Sequence, residues 1–288
     1  MKLYHKQFLD LEPEFTDLDT SAVAILPFPY EGGISCGAGT AGAPDAVIDA
    51  SYYVELYDEV LDTEPYKIGI STLTPPAIPS TPERMIQSIQ DAAKAILERD
   101  KFPVVIGGDH SITGGYYRAL REKHGAVSVI QLDAHADLRD SYQGSRLSHA
   151  SVMSRIREET EHTLQIGIRS MSAEEADRIR TEKIQLCTMD AFRKGAFDLR
   201  TAVEALPDPV FITLDVDVLD WSVVRTTGTP EPGGMTWDEI LALLATIFSN
   251  KKVVGFDVVE LSCREDDPNS PFAVAKLIHK MIALKFFP

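Results

Sequence analysis

The chain is poor in cysteine, in long apolar runs and in basic residues, and each shortage excludes a class of protein. Its 288 residues include three cysteines, Cys36, Cys187 and Cys263, too few and too scattered for a disulfide scaffold or a thiolate metal site. The longest apolar stretch, 241–248, falls well short of the roughly 20 residues that span a membrane. The N-terminal segment lacks an apolar core before its first acidic residues, so we expect no secretory signal and a cytoplasmic protein.

The charge balance is strongly acidic. The chain has 28 Lys and Arg against 44 Asp and Glu, a formal net charge of −16. Nucleic-acid backbones and anionic membrane surfaces would be repelled, so we expect neither as a partner. A small cationic ligand or bound metal ions suit this surplus of negative charge.

Short runs rich in Val and Ile alternate with longer amphipathic stretches. The runs occupy 23–28, 66–70, 102–108, 126–133, 162–168, 183–188, 209–217 and 252–261. They are apolar without alternation, as in strands buried on both faces. Helices are predicted at 82–100, with Thr81 as N-cap, and at 236–250, where Thr236 and Glu239 have capping-box spacing. The alternation predicts a largely parallel α/β sheet.

Acidic and histidine side chains follow four of these runs. They are His110, Asp133, His135, Asp137, Asp215, Asp217 and Glu260. The carboxyl ends of parallel strands meet at one edge of a sheet, so we expect these side chains to converge. In extended chain, the spacing of Asp133, His135 and Asp137 would point all three to one side. Four aspartates brought together would repel each other unless cations neutralised them.

The number and type of these groups predict two metal ions. Four aspartates and two histidines exceed what one tetrahedral ion requires, and carboxylates are able to bridge two ions. Oxygen and nitrogen ligands without sulfur favour Mn²⁺ ahead of Zn²⁺, with Fe, Co and Ni as alternatives. Two such ions share a water and lower its pKa towards neutrality, which supplies a hydroxide nucleophile.

Six motifs in order carry a resemblance to a known family. They are GGDHSIT (107–113), DAHADL (133–138), SHASV (148–152), LDVDVLD (214–220), TGTPEPGG (227–234) and GFDVVEL (255–261). The chain resembles the ureohydrolases, the family of arginase, agmatinase, guanidinobutyrase and formimidoylglutamase. Because no linker-like stretch interrupts the sequence, we expect a single domain over 1–288. The resemblance implies a three-layer arginase-like α/β fold, in which a mainly parallel eight-stranded sheet lies between helices. It also implies a homo-oligomer, either a trimer or a hexamer.

The same resemblance implies a ligand set for two Mn²⁺ ions. It gives the bridging positions to Asp133 and Asp215, one terminal pair to His110 and Asp137, and the other to His135 and Asp217. The resemblance further implies that His149 shuttles protons and that Glu260 contacts the guanidinium group. The candidate catalytic residues are therefore His149, Glu260 and Asp137. The implied reaction is hydrolysis of a guanidino carbon to urea and an amine.

The substrate implied is agmatine, which would give putrescine and urea. The segment 137–152 resembles that of agmatinases and lacks the longer loop with which arginases hold an α-amino acid. The alternatives are arginase, guanidinobutyrase or formimidoylglutamase activity, a one-zinc deacetylase relative, and a non-catalytic metal-binding subunit. Three departures from the family pattern at the expected rim bear on the substrate: the loop 221–226 with Arg225, Cys36 and Cys263.

Overall fold

Eight short strands form one parallel sheet. The computed structural model of the protein describes residues 1–32 and 38–287. The strands are β1 (Val23–Phe28), β2 (Ile70–Thr72), β3 (Phe102–Gly107), β4 (Ser128–Leu132), β5 (Thr163–Ile168), β6 (Gln185–Thr188), β7 (Val210–Asp215) and β8 (Val253–Val259). Their order in the sheet is β2-β1-β3-β8-β7-β4-β5-β6, and every neighbouring pair is parallel. The predicted fold class is confirmed.

Helices cover both faces of the sheet. They are α1 (Pro13–Thr16), α2 (Ala43–Ser51), α3 (Pro82–Leu97), α4 (Thr113–His124), α5 (Val152–Arg157), α6 (Ala173–Glu182), α7 (Met189–Arg193), α8 (Leu199–Ala205), α9 (Trp237–Asn250) and α10 (Asn269–Phe286). Alternate strand residues belong to two separate apolar clusters, as Ile25 and Leu26 do. Helices α2, α9 and α10 contribute to one cluster, whereas α3, α4 and α5 contribute to the other. Burial on both faces explains why the runs are continuously apolar.

The two predicted helices are present, with one difference in capping. The side chain of Thr236 accepts a hydrogen bond from the Glu239 backbone, and Glu239 bonds back to Thr236, so the capping box of α9 is confirmed. Thr81 is the N-cap residue of α3, but its side chain makes no capping hydrogen bond. This helix begins instead with Pro82, whose fixed φ suits the first turn.

The predicted strand at 66–70 is wrong in its position. Residues Pro65–Ile68 form a 3₁₀ turn, and β2 begins only at Ile70. Between them Gly69 has a φ of +80°, and a Cβ there would lie 2.6 Å from the Cα of Ser21. A residue in the left-handed region ends the turn and delays the strand.

The chain has no helix among the described residues that is long and apolar enough to cross a membrane. The four central strands of the sheet, β3, β8, β7 and β4, are neighbours. The candidate site residues, apart from His149, follow the carboxyl ends of these four strands.

Candidate metal centre

The ends of the four central strands bring the predicted side chains to one place. His110 opens a 3₁₀ turn after β3, Asp133 follows β4, Asp215 ends β7, and Glu260 follows β8. The side chain of each of these four residues is at most 8% exposed. The convergence expected at the carboxyl edge of the sheet is therefore present.

The local geometry differs from the extended chain that the spacing suggested. Strand β4 ends at Leu132, and Asp137 has a φ of +53° in the left-handed region. Asp217 lies in a 3₁₀ turn and donates its backbone N–H to Asp215 Oδ1 at 2.9 Å. The side chains meet because the chain turns at the strand end, so the prediction of one extended face was wrong. Aspartate tolerates the left-handed region better than most residues, which permits the turn at Asp137.

Two groups of side chains have the spacing of metal ligands, and they share one residue. His110, Asp133 and Asp137 form the first group, and Asp133, His135 and Asp217 form the second. Within each group the candidate ligand atoms lie within 4.8 Å of one another. The carboxylate of Asp133 thus lies between two candidate ion positions. Asp215 borders the first group, with Oδ2 at 3.4 Å from His110 Nδ1.

The imidazole of His110 aims one nitrogen at the carboxylates. Its Nδ1 lies 3.3 Å from Asp133 Oδ2, 3.3 Å from Asp137 Oδ2 and 3.4 Å from Asp215 Oδ2. Among the described residues this buried nitrogen has no well-aligned hydrogen-bond partner. Burial lowers the pKa of His110, but the three carboxylates outweigh burial and hold this pKa well above its usual value. A nitrogen without a partner, surrounded by carboxylate oxygens, has the surroundings of a metal ligand.

The aspartates of the two groups are electrostatically strained. Burial and the charge of Asp133 raise the pKa of Asp137 to about 7. Burial followed by the charges of Asp217 and Asp133 raises the pKa of Asp215 well above its usual value, and the pKa of Asp217 is also raised by burial and Asp133. Burial acts in the same direction on Asp133, but contacts with histidine reverse the effect and lower its pKa. Divalent cations would relieve this strain, so the residues fit the metal ions that the sequence predicts.

A cavity of about 260 Å³ opens onto these groups. His149 and Glu260 both line it, together with three members of the candidate metal groups and Asp215. Burial and the charge of Asp109 raise the pKa of Glu260 well above its usual value. Burial lowers the pKa of His149, whose Nδ1 lies 4.0 Å from Asp109 Oδ2 and whose ring meets the edge of Tyr142.

Sequence reasoning missed several residues of the site. Arg139, Tyr142 and Glu175 line the cavity. The Ser172 to Glu175 spacing is a capping-box signal that could have located Glu175, which also accepts the Leu138 backbone N–H at 2.9 Å. No sequence signal points to Gln131, whose amide donates to Asp133 Oδ2 at 2.7 Å from within β4.

Among the residues that depart from the family pattern, Arg225 does not line the cavity beside the two groups. Arg225 belongs to a separate groove with Trp221 and Arg264, and its guanidinium approaches Asp266 at 4.0 Å. Burial raises the pKa of the Cys263 thiol to about 11, which keeps it protonated and unreactive at neutral pH. Cys36 lies outside the described residues.

Comparison with known proteins agrees with the geometry. Residues 21–283 match the Arginase family. The N(1)-aminopropylagmatine ureohydrolase of a Synechocystis species is 37% identical over 96% of this chain and 93% of its own. The agmatinase of Pyrococcus horikoshii is 33% identical over 99% of each chain. The agmatine ureohydrolase of Thermoplasma volcanium superposes with a TM-score of 0.88 at 27% identity, covering 99% and 95%. The chain therefore belongs to the arginase family, as a hydrolase that acts on guanidino compounds.

Proposed function

We propose that the protein is a binuclear manganese hydrolase that cleaves agmatine to putrescine and urea. The observation that carries the proposal is the pair of ligand groups that share Asp133 beside one cavity. Their donors are oxygen and nitrogen without sulfur, the set that suits Mn²⁺. Family membership supports the guanidino chemistry.

Each ion has its own terminal ligands in this proposal. His110 and Asp137 would hold one ion, and His135 and Asp217 would hold the other. Asp133 and Asp215 would be ligands that the two ions share. When bound, the ions neutralise the carboxylates and activate a water as the nucleophile.

Glu260 orients the guanidinium in this proposal. Its Oε1 accepts the His110 backbone N–H at 2.6 Å, which holds the carboxylate against the metal groups. A Cβ at Gly228 would lie 2.5 Å from Oε2, so only glycine leaves space beside this oxygen. A carboxylate held in this way offers a charge-assisted acceptor to a planar guanidinium and places the reacting carbon over the metal groups.

His149 moves the proton that the leaving amine requires. The ring lines the cavity while its side chain stays 13% exposed, so it reaches both the substrate and solvent. An amine leaves as a neutral molecule only if a proton reaches its nitrogen. Imidazole is suited to this transfer near neutral pH.

A second substrate, N(1)-aminopropylagmatine, is favoured by a specific observation. Three relatives named as ureohydrolases of this compound are 34–37% identical to the chain, and the agmatinase of Pyrococcus horikoshii is 33% identical. Both compounds present the same guanidino group to the metal groups. They differ only in the chain beyond the amine nitrogen of agmatine.

Urea release with Mn²⁺ supplied tests the proposal. We expect urea from agmatine or from N(1)-aminopropylagmatine, with lower kcat/KM for arginine and guanidinobutyrate. The ratio of kcat/KM for the first two compounds decides between them. Metal analysis should approach two ions per chain. Formamide release from formimidoylglutamate would instead indicate formimidoylglutamase activity. A protein that binds metal but releases neither urea nor formamide from these compounds would be a non-catalytic subunit. We also propose that the protein is cytoplasmic and forms a homo-oligomer, either a trimer or a hexamer. Light scattering measures the mass of the oligomer and so tests its subunit number.

A further inference from the structure

A chain of buried polar side chains runs away from His110 on the side opposite the carboxylates. His110 Nε2 lies 2.9 Å from Thr213 Oγ1. That oxygen lies 3.5 Å from Thr113 Oγ1, and Thr113 donates its hydroxyl proton to Asp257 Oδ2 at 2.8 Å. All four side chains are at most 1% exposed. The proposed catalytic roles use neither Asp257 nor the two threonines.

The carboxylate at the end of the chain sets the direction of its hydrogen bonds. An ionised carboxylate only accepts, so Thr113 gives its proton to Asp257 and offers its lone pairs to Thr213. The hydroxyl of Thr213 also hydrogen-bonds the Asp257 carboxylate, so its proton points towards Asp257. Its lone pairs therefore face His110, whose Nε2 must carry the proton of that hydrogen bond.

The direction of these hydrogen bonds matters because a neutral His110 carries its single proton on either Nδ1 or Nε2. A histidine that binds a metal through Nδ1 must keep its remaining proton on Nε2. The three carboxylates around Nδ1 attract a proton to the wrong nitrogen. The Thr213 oxygen, held as a hydrogen-bond acceptor at Nε2, favours the proton on Nε2 and so opposes that attraction.

We propose that Asp257 is a positioning residue that, through Thr113 and Thr213, holds the proton of His110 on Nε2 and leaves the Nδ1 lone pair for one metal ion. The inference rests on the proposed metal site. Burial raises the pKa of Asp257 to about 6, so this carboxyl is ionised at pH 8. A hydrogen-bond partner behind a metal-bound histidine is worth about 10- to 100-fold in metal affinity.

Titration of the metal-free protein with Mn²⁺ at pH 8 tests this role, with free Mn²⁺ measured by electron paramagnetic resonance. Thr213→Val removes the acceptor at nearly constant volume, whereas Thr213→Ser keeps it and is the matched control. We expect Thr213→Val and Asp257→Ala to bind one ion about 10- to 100-fold more weakly and the other as in the wild type. Thr213→Ser should bind both ions as the wild type does. Excess Mn²⁺ should restore urea release in Asp257→Ala.

Three results would overturn the inference. If folded Thr213→Val and Asp257→Ala bind both ions with wild-type affinity, the chain of hydrogen bonds does not position His110. If Thr213→Ser binds as weakly as Thr213→Val, the effect belongs to packing and not to the hydroxyl. A wild-type protein that binds no Mn²⁺ would overturn the proposed function as well, so the two failures are distinguishable. Melting of the metal-free variants, followed by circular dichroism, identifies any variant that does not fold.

Discussion

Removing the metal should make Asp137 a source of instability, and replacing it with asparagine should relieve that instability. Asp137 is 6% exposed and lies among acidic neighbours. Burial and the charge of Asp133 raise its pKa from 3.8 to about 7. Asparagine removes the charge and tolerates the same left-handed backbone, here at a φ of +53°. We therefore expect metal-free Asp137→Asn to be more stable than the metal-free wild type at pH 8.

The direction and the size of the expected stability change follow from the pKa of Asp137. The unfolded chain loses the Asp137 proton near pH 4, whereas the folded metal-free chain keeps it until about pH 7. The folded state binds more protons in this interval, so its stability falls as the pH rises from about 4 to 7. The difference between the folded and unfolded pKa values of Asp137 corresponds to at most about 4 kcal/mol of unfolding free energy. At about 2 °C per kcal/mol, the melting temperature at pH 8 should rise by up to about 8 °C in the variant.

Calorimetry in a chelator at pH 4 and pH 8, repeated with Mn²⁺, measures this effect. Without metal, the melting temperature of the variant should be higher than that of the wild type at pH 8 and equal to it at pH 4. With Mn²⁺ the advantage of the variant should shrink, because an ion at a 100-fold excess over its Kd stabilises the wild type by about 2.7 kcal/mol and the variant lacks one ligand of that ion. Asp10→Asn is the matched control, since Asp10 is exposed and also left-handed, with a φ of +49°. The reasoning fails if metal-free Asp137→Asn melts at or below the wild type at pH 8, or if Asp10→Asn shows the same rise.

Four further substitutions separate the proposed roles. Glu260→Gln should lower kcat/KM for the guanidino substrate by about ten- to over a hundredfold, because it removes a charge-assisted contact, while metal analysis still finds two ions. Asp133→Ala should lose both ions in metal analysis, whereas His110→Ala should keep one ion, because only Asp133 belongs to both ligand groups. Arg225→Ala should leave the ratio of kcat/KM for agmatine and arginine unchanged, because Arg225 lies in a separate groove; a changed ratio would place it at the substrate.

The strands could be predicted closely because their signal is local. The apolar run 23–28 coincides with β1, and the run 102–108 differs from β3 by one residue. A strand that is buried on both faces requires a continuously apolar segment, and such a segment is recognisable in the local sequence. The turn before β2 was missed because Gly69 is required by the nearby backbone of Ser21, a contact between segments.

The order of the strands could not be predicted from the same signal. The last strand, β8, inserts between β3 and β7, although more than a hundred residues separate β3 from β8 along the chain. Nothing in the run 252–261 indicates which strands will be its neighbours. That insertion places Glu260 beside His110, so the sequence indicated a shared edge but not the contacts across it.

Glu260 shows what such a contact adds to the interpretation of a residue. From the sequence it is a substrate-binding acid; in the structure Oε1 also accepts the backbone N–H of the candidate ligand His110. One carboxylate therefore has two tasks, and its complete removal would disturb both the substrate contact and the position of His110. Glutamine keeps a carbonyl oxygen that can accept the backbone N–H, so it alters the substrate contact alone. Loss of metal in Glu260→Ala would consequently say nothing against substrate binding, whereas loss of metal in Glu260→Gln would.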